Sequence, residues 1–508
     1  PDGTTHTATV VYASDGDYTF DIAFTDMAGN KADKVAQHKF TVDKTIPTIN
    51  VSFDNNSAKN NNYYKADRTA TITVNEHNFN AQDVKVNISA TGADNSTAAT
   101  VPSVSSWTSN GNIHTATVKF ANDGKYAFDV NYTDLADNAA KENVVTTFYV
   151  DKTAPAVKIS NVENESANSG NVAPVINLSD NNYSGDYVLT LTRVDIEAKK
   201  TDVTNDFVST VVPTSNTGAV VTYANFASDE VNDGIYVLNA ALTDKAGNSS
   251  NDTITFSVNR FGSTYMGGNK ETNDLLDNGY TNAEKDIVIS EINVDKLTKS
   301  NISLSLDSSS LKTLKQNVDY TVNEDAKTGQ WHKYNYTVKS SNFVNEGNYT
   351  IELSSTDAAK NASTNRIRPV ENRKLAVQFV VDKTAPVVNI AGIENNALYE
   401  ENSKDVTVVC EDSYIDANSL VIKLDDKTLK EGKDYTVEKD VASISAKIKV
   451  NATSDITAQN VKVSVKDMAQ NSGDGSVENF TLSATLLMRF FANPVLVIIS
   501  AVILAGII

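Results

Sequence analysis

The chain has 508 residues and is acidic: 44 Lys and Arg stand against 64 Asp and Glu, a formal net charge of −20 at pH 7. Such a polyanion repels phosphate backbones and anionic lipid, which excludes nucleic acid and a basic membrane-surface patch. Cys410 is the lone cysteine, which excludes internal disulfides, Cys-ligated zinc and iron–sulfur clusters, and five histidines leave little for a multi-histidine centre.

Read from the start, the chain repeats itself. Asp15-Gly-Asp-Tyr18 recurs as Asp123-Gly-Lys-Tyr126, Asp233-Gly-Ile-Tyr236 and Glu346-Gly-Asn-Tyr349, with steps of 108, 110 and 113 residues between the glycines. A second word follows each: Thr25-Asp-Met-Ala-Gly-Asn30, Thr133-Asp-Leu-Ala-Asp-Asn138, Thr243-Asp-Lys-Ala-Gly-Asn248, Thr356-Asp-Ala-Ala-Lys-Asn361, and finally Lys466-Asp-Met-Ala-Gln-Asn471. A third reads Val42-Asp-Lys-Thr-Ile-Pro47, Val150-Asp-Lys-Thr-Ala-Pro155 and Val381-Asp-Lys-Thr-Ala-Pro386, with a degenerate copy at Val258-Asn-Arg-Phe261. Three words kept in register mark a tandem array of small domains rather than a solenoid of short repeats.

Within each unit the apolar residues alternate. Tyr18, Phe20, Ile22 and Phe24 share one face, as do Tyr126, Phe128, Val130 and Tyr132, and Tyr236, Leu238, Ala240 and Leu242. Period two indicates antiparallel strands with one buried face. The Thr-Asp-x-Ala-Gly-Asn word supplies turn chemistry, and the proline after Asp-Lys-Thr suits a strand start or a linker. A weaker fourth word, Thr71 to Phe79, has relatives at Val175 to Tyr183 and Val406 to Tyr414 and reads as strand, polar turn, strand. Each unit thus holds roughly seven short strands at sandwich spacing.

Those three words, with Asp-Gly-x-Tyr opening the penultimate strand, resemble bacterial Ig-like domains, and the resemblance covers residues 1–480. It implies an all-β fold of tandem immunoglobulin-like sandwiches on the surface of a bacterial, Gram-positive-type cell. It implies a tyrosine-corner role for Tyr18, Tyr126, Tyr236 and Tyr349, whose hydroxyls would bond back to the preceding corner. The chain departs from antibody-type domains, having no Cys pair and no repeated core position for Trp107 or Trp331. The expected units are a partial domain at 1–42, complete ones at 43–150, 151–258, 259–381 (irregular, with an insert near Gly267) and 382–484, and a truncated transmembrane helix at 486–508. That last stretch would span about 34 Å as a helix, enough for a bilayer core. The missing first half of the domain at 1–42 points to a fragment of something longer.

Chemistry is sparse. His6 and His114 occupy one strand position in two copies, Cys410 lies mid-strand as a buried apolar residue, and neither a phosphate loop nor His-Glu-x-x-His is present. Calcium is the one cofactor to consider. In some giant adhesins that these domains resemble, junction aspartates bind it and stiffen the rod. The candidate ligands here are Asp43, Asp151 and Asp382 at the junctions, with Asp26, Asp134 and Asp244 in the nearby loop. The competing reading is that all of them are solvent-facing turn formers.

The expected function is a non-catalytic, surface-anchored stalk or adhesin region, held to the membrane by its C-terminal helix. It would present a head that precedes Pro1, or bind a host protein or glycan. Trp331, Tyr334 and Tyr336 of the irregular unit are the candidate ligand contacts, the competing reading being that they pack within strands. The alternative is the accessory repeats of a large glycan-degrading enzyme whose catalytic domain lies upstream.

Overall fold

The computed structural model describes residues 3, 5–141, 145–325, 327–366, 374–455, 457–483, 495 and 498. Its second complete stretch shows the plan. One sheet runs Ala156–Ser160, Val175–Ser179, Gly218–Tyr223, Val208–Pro213. The facing sheet runs Ser166–Asn168, Ser249–Val258, Gly234–Thr243, Asp186–Val194, Lys200–Asp202. The first strand of the domain is therefore split, half in each sheet, and its second half pairs parallel with the last strand. The same order recurs in 43–150, 259–381 and 382–483, giving sandwiches of eight to ten strands where about seven were expected. Short edge strands such as Lys200–Asp202 account for the surplus.

Alternation sets the packing. Gly234–Thr243 buries every second residue over ten positions, which turns Tyr236, Leu238, Ala240 and Leu242 into the core. Each large apolar side chain so buried contributes roughly 1.5–3 kcal/mol. Every stretch has its own hydrophobic cluster, as separate domains require. The glycine of the Asp-Gly-x-Tyr word is needed for close approach: a Cβ at Gly234 would lie 2.7 Å from the Val194 carbonyl oxygen.

The insert of the irregular unit is a helix, Lys270–Asn278, lying between Thr264–Gly267 and Tyr280–Thr281, where the chain crosses from one sheet to the other. Asn269 caps it by accepting from the Thr272 N–H, and Gly279 ends it at φ 80°. In the partial unit, among the described residues, the strand Gly16–Phe20 pairs only with His38–Val42, and Ile22 and Phe24 are exposed rather than facing a core. Among the described residues no helix is long and apolar enough to cross a membrane. The expected span at 486–508 falls, apart from Val495 and Ile498, outside the described residues.

Candidate metal centres

The tyrosine hydroxyls donate to the carbonyl four residues upstream: Tyr18 to Ser14, Tyr126 to Asn122 and Tyr236 to Asn232 at 2.8 Å, and Tyr349 to Asn345 at 2.9 Å. Each bond closes the corner that carries the acidic residue of the Asp-Gly-x-Tyr word. That acid then grips the linker leading into the next unit. Asp15, Asp123, Asp233 and Glu346 accept from the backbone N–H of Lys44, Lys152, Arg260 and Lys383, at 3.2, 3.1, 3.1 and 2.7 Å.

The downstream unit holds the linker by the residue just before. In the Thr-Asp-x-Ala-Gly-Asn word, the Asp134 carboxylate accepts from the N–H groups of Ala136 and Asn138 at 2.8 Å and from the Asn138 side chain at 2.9 Å. The fifth position of the word is left-handed in all five copies, at Gly29, Asp137, Gly247, Lys360 and Gln470, which is why glycine serves best there. The terminal asparagine, oriented by that turn, donates to the carbonyl of the linker residue. Asn138 reaches Asp43 at 3.3 Å, Asn248 reaches Asp151 at 2.9 Å, Asn361 reaches Asn259 at 2.8 Å and Asn471 reaches Asp382 at 2.9 Å.

These two grips gather carboxylates. Asp43, Glu76 and Asp134 form one group, Asp151, Asp180 and Asp244 a second, and Asp382, Asp412 and Asp467 a third; within each, one oxygen from every residue lies within 4.8 Å of the others. Six of the nine are buried and the other three half-buried. Among the described residues none of the nine pairs with a Lys or Arg. Burial, with the Asp244 and Asp180 charges beside it, lifts the Asp151 carboxyl to about 6 despite the bond from Asn182. Burial likewise raises Asp180, Asp382 and Asp412 above the usual carboxylate range. Asp43 and Asp151 each take an amide hydrogen bond on Oδ2, from Asn78 and Asn182 at 2.8 Å. At the last junction Tyr414 stands in that place, and the buried Asp382 Oδ2 has no hydrogen-bond partner among the described residues. Three converging carboxylates are a hard-cation donor set, and a buried carboxylate oxygen left without a partner in the last group fits that chemistry.

Of the six aspartates expected from the sequence, Asp43 with Asp134, and Asp151 with Asp244, come together, and Asp382 joins Asp412 and Asp467. Among the described residues Asp26 belongs to no such group; its carboxylate is spent on Asn30 within its own turn. Glu76, Asp180, Asp412 and Asp467 were not singled out as ligands, although the first two sit at one position of the fourth repeated word.

The aromatic candidates are corrected by burial. Trp331 and Tyr334 are 6% exposed and Tyr336 is fully buried, so none offers a face to a sugar. Tyr334 donates to Glu324 at 3.1 Å and Tyr336 to Glu291 at 3.0 Å inside the unit. Trp331 donates to the Val194 carbonyl of the preceding unit at 3.0 Å, making it a junction contact.

The chain is similar along 86% of its length to all of a tetra-tandem repeat in the extending region of a large adhesion protein, at 13% identity and a TM-score of 0.32. It is similar along 65% of its length to all of an I-band fragment, I67–I69, of titin, at 13% identity and a TM-score of 0.27. No curated protein matches the sequence. The profile described as Bacterial Ig-like domain (group 3) matches residues 6–112 and 112–260, together half of the chain. The chain belongs to the bacterial Ig-like domain family.

Proposed function

We propose that the chain is the repeat region of a cell-surface stalk or adhesin whose domain junctions are braced by divalent cations, calcium by its donor chemistry. The observation that carries this reading is the recurrence of one acidic group at three junctions, each built on the linker aspartate that the downstream unit grips, next to the residue that the upstream unit grips. A cation there neutralises charges that otherwise repel in a desolvated place, and it ties the linker aspartate to the head of the downstream unit. The upstream unit already holds the next residue through Asp15, Asp123 or Glu346. Bound cation thus fixes the angle between units, and an array so fixed carries its far end away from the cell surface. The net charge of −20 keeps neighbouring copies apart.

Calorimetric titration of metal-depleted protein with calcium tests this. Three sites are expected, and Asp134→Asn, Asp244→Asn and Asp467→Asn should each remove one. Absence of binding at millimolar calcium overturns the reading.

A further inference from the structure

The junction between 151–258 and 259–381 is built from the same positions as the others, with the chemistry reversed. Asn259 stands where the others have Asp43, Asp151 and Asp382. Asn293 stands where they have Glu76, Asp180 and Asp412: each of these side chains accepts from the N–H two residues on, at Asn78, Asn182, Asp295 and Tyr414. Asp295 correspondingly replaces Asn78 and Asn182. Acid and amide have changed places across the junction.

The consequence lies at one atom. Asn259 Oδ1 accepts from the Gly262 N–H at 3.0 Å, which orients the amide. Its Nδ2 then faces the group, and its two hydrogens are shared among Asn293 Oδ1 at 2.9 Å, Asp295 Oδ2 at 2.8 Å and Asp357 Oδ2 at 2.9 Å. Asn293 Nδ2 adds a bond to Asp357 at 3.2 Å. Two carboxylates remain in place of three, and amide hydrogens satisfy both. The other Asp295 oxygen accepts from the Ser257 hydroxyl of the preceding unit at 2.6 Å. Trp331 to Val194 and Ser169 to Ala359, the latter at 2.9 Å, also cross this junction. The Arg260 guanidinium adds donations back to the Phe226, Ala227 and Gly170 carbonyls.

We infer that this junction is a cation-independent lock, in which the Asn259 carboxamide nitrogen takes the place a cation takes at the other three. The inference rests on the proposed cation sites for its contrast, and on the Asn259 bonds for its substance. Removing cations then loosens the array at Asp43, Asp151 and Asp382, while 151–258 and 259–381 move as one body. The array has a built-in pattern: a permanently stiff pair between conditionally stiff joints.

The test uses the whole chain with Cys410→Ala and spin labels at exposed sites on the two units flanking Asp151, and separately on the two flanking Asn259. Distance distributions are measured by double electron–electron resonance in calcium and in EDTA. The expected result is a distribution across Asp151 that broadens at least twofold in EDTA, and one across Asn259 that is unchanged. Equal broadening at both overturns the lock. Asn259→Asp should make its junction respond to EDTA, and no response counts against the inference. Asn259→Ala should broaden that junction in either buffer, and an unchanged width overturns the amide's role. If the Asp151 junction ignores EDTA while Asn259→Ala loosens its own, the cation reading of the other junctions falls and the lock stands.

Discussion

Replacing Asp180 by Asn separates a metal site from a cluster of turn formers, because the two accounts give opposite signs. Asp180 accepts from the Asn182 N–H at 2.6 Å, and an asparagine oxygen keeps that bond and the turn. What is lost is one of three charges whose oxygens lie within 4.8 Å of one another. At that separation and an effective dielectric near 20, each like-charged pair repels by roughly 3 kcal/mol. Asp180 is half-buried and Asp151 already takes up a proton more readily than usual, so the relief is about 1–2 kcal/mol. In EDTA the second unit of Asp180→Asn should therefore be more stable, with globally exchanging amides slowed about tenfold in hydrogen exchange. In calcium the order reverses, since a charged ligand is missing and the affinity should fall by about tenfold or more. A variant less stable in EDTA, with undiminished protection by calcium, would refute the reasoning.

Other outcomes follow from the same structure. Burial raises Asp151 to about 6 from an unfolded value of 3.8, so the folded state binds the proton more tightly. Metal-free protein should then lose about 3 kcal/mol of second-unit stability as pH rises between those values, at about 1.4 kcal/mol per pH unit, while calcium affinity increases over the same range. Urea unfolding and calcium titration across that range would show both trends, and flat profiles would contradict them. Tyr236→Phe removes the bond to Asn232 and should cost about 1 kcal/mol of second-unit stability by urea unfolding, without altering calcium stoichiometry. Burial pushes the Cys410 thiol up to about 11, so iodoacetamide at mildly alkaline pH should label it only after unfolding.

The parts of the site that sit in repeated words were legible from residues alone. Asp134 and Asp244 recur at one place in a six-residue word, and so do the linker aspartates. Glu76, Asp180 and Asp412 were harder, because the fourth word that holds them is weak: its strands share an alternation of burial more than a run of residues. The residue type changes from Glu to Asp, and in the last unit the residue that joins the group is Asp412 rather than the neighbouring Glu411. The degenerate copy at Asn259 was visible, but its meaning depends on Asp295, which only the folded chain brings beside it. Trp331, Tyr334 and Tyr336 mislead when read as an exposed aromatic cluster. The strand His332–Val338 alternates, and its period-two pattern places Tyr334, Tyr336 and Val338 together on the core face. The helix Lys270–Asn278 was seen only as an insert, since its Asn269 and Gly279 caps flank a stretch with few apolar residues.

The central claim is that cations set the stiffness of the junctions. Small-angle X-ray scattering of the whole chain in millimolar calcium and in EDTA tests it most directly. The account predicts a single rigid shape with calcium and a broadened distribution of distances after chelation, restored when calcium is returned. Superposable profiles in the two buffers would contradict it.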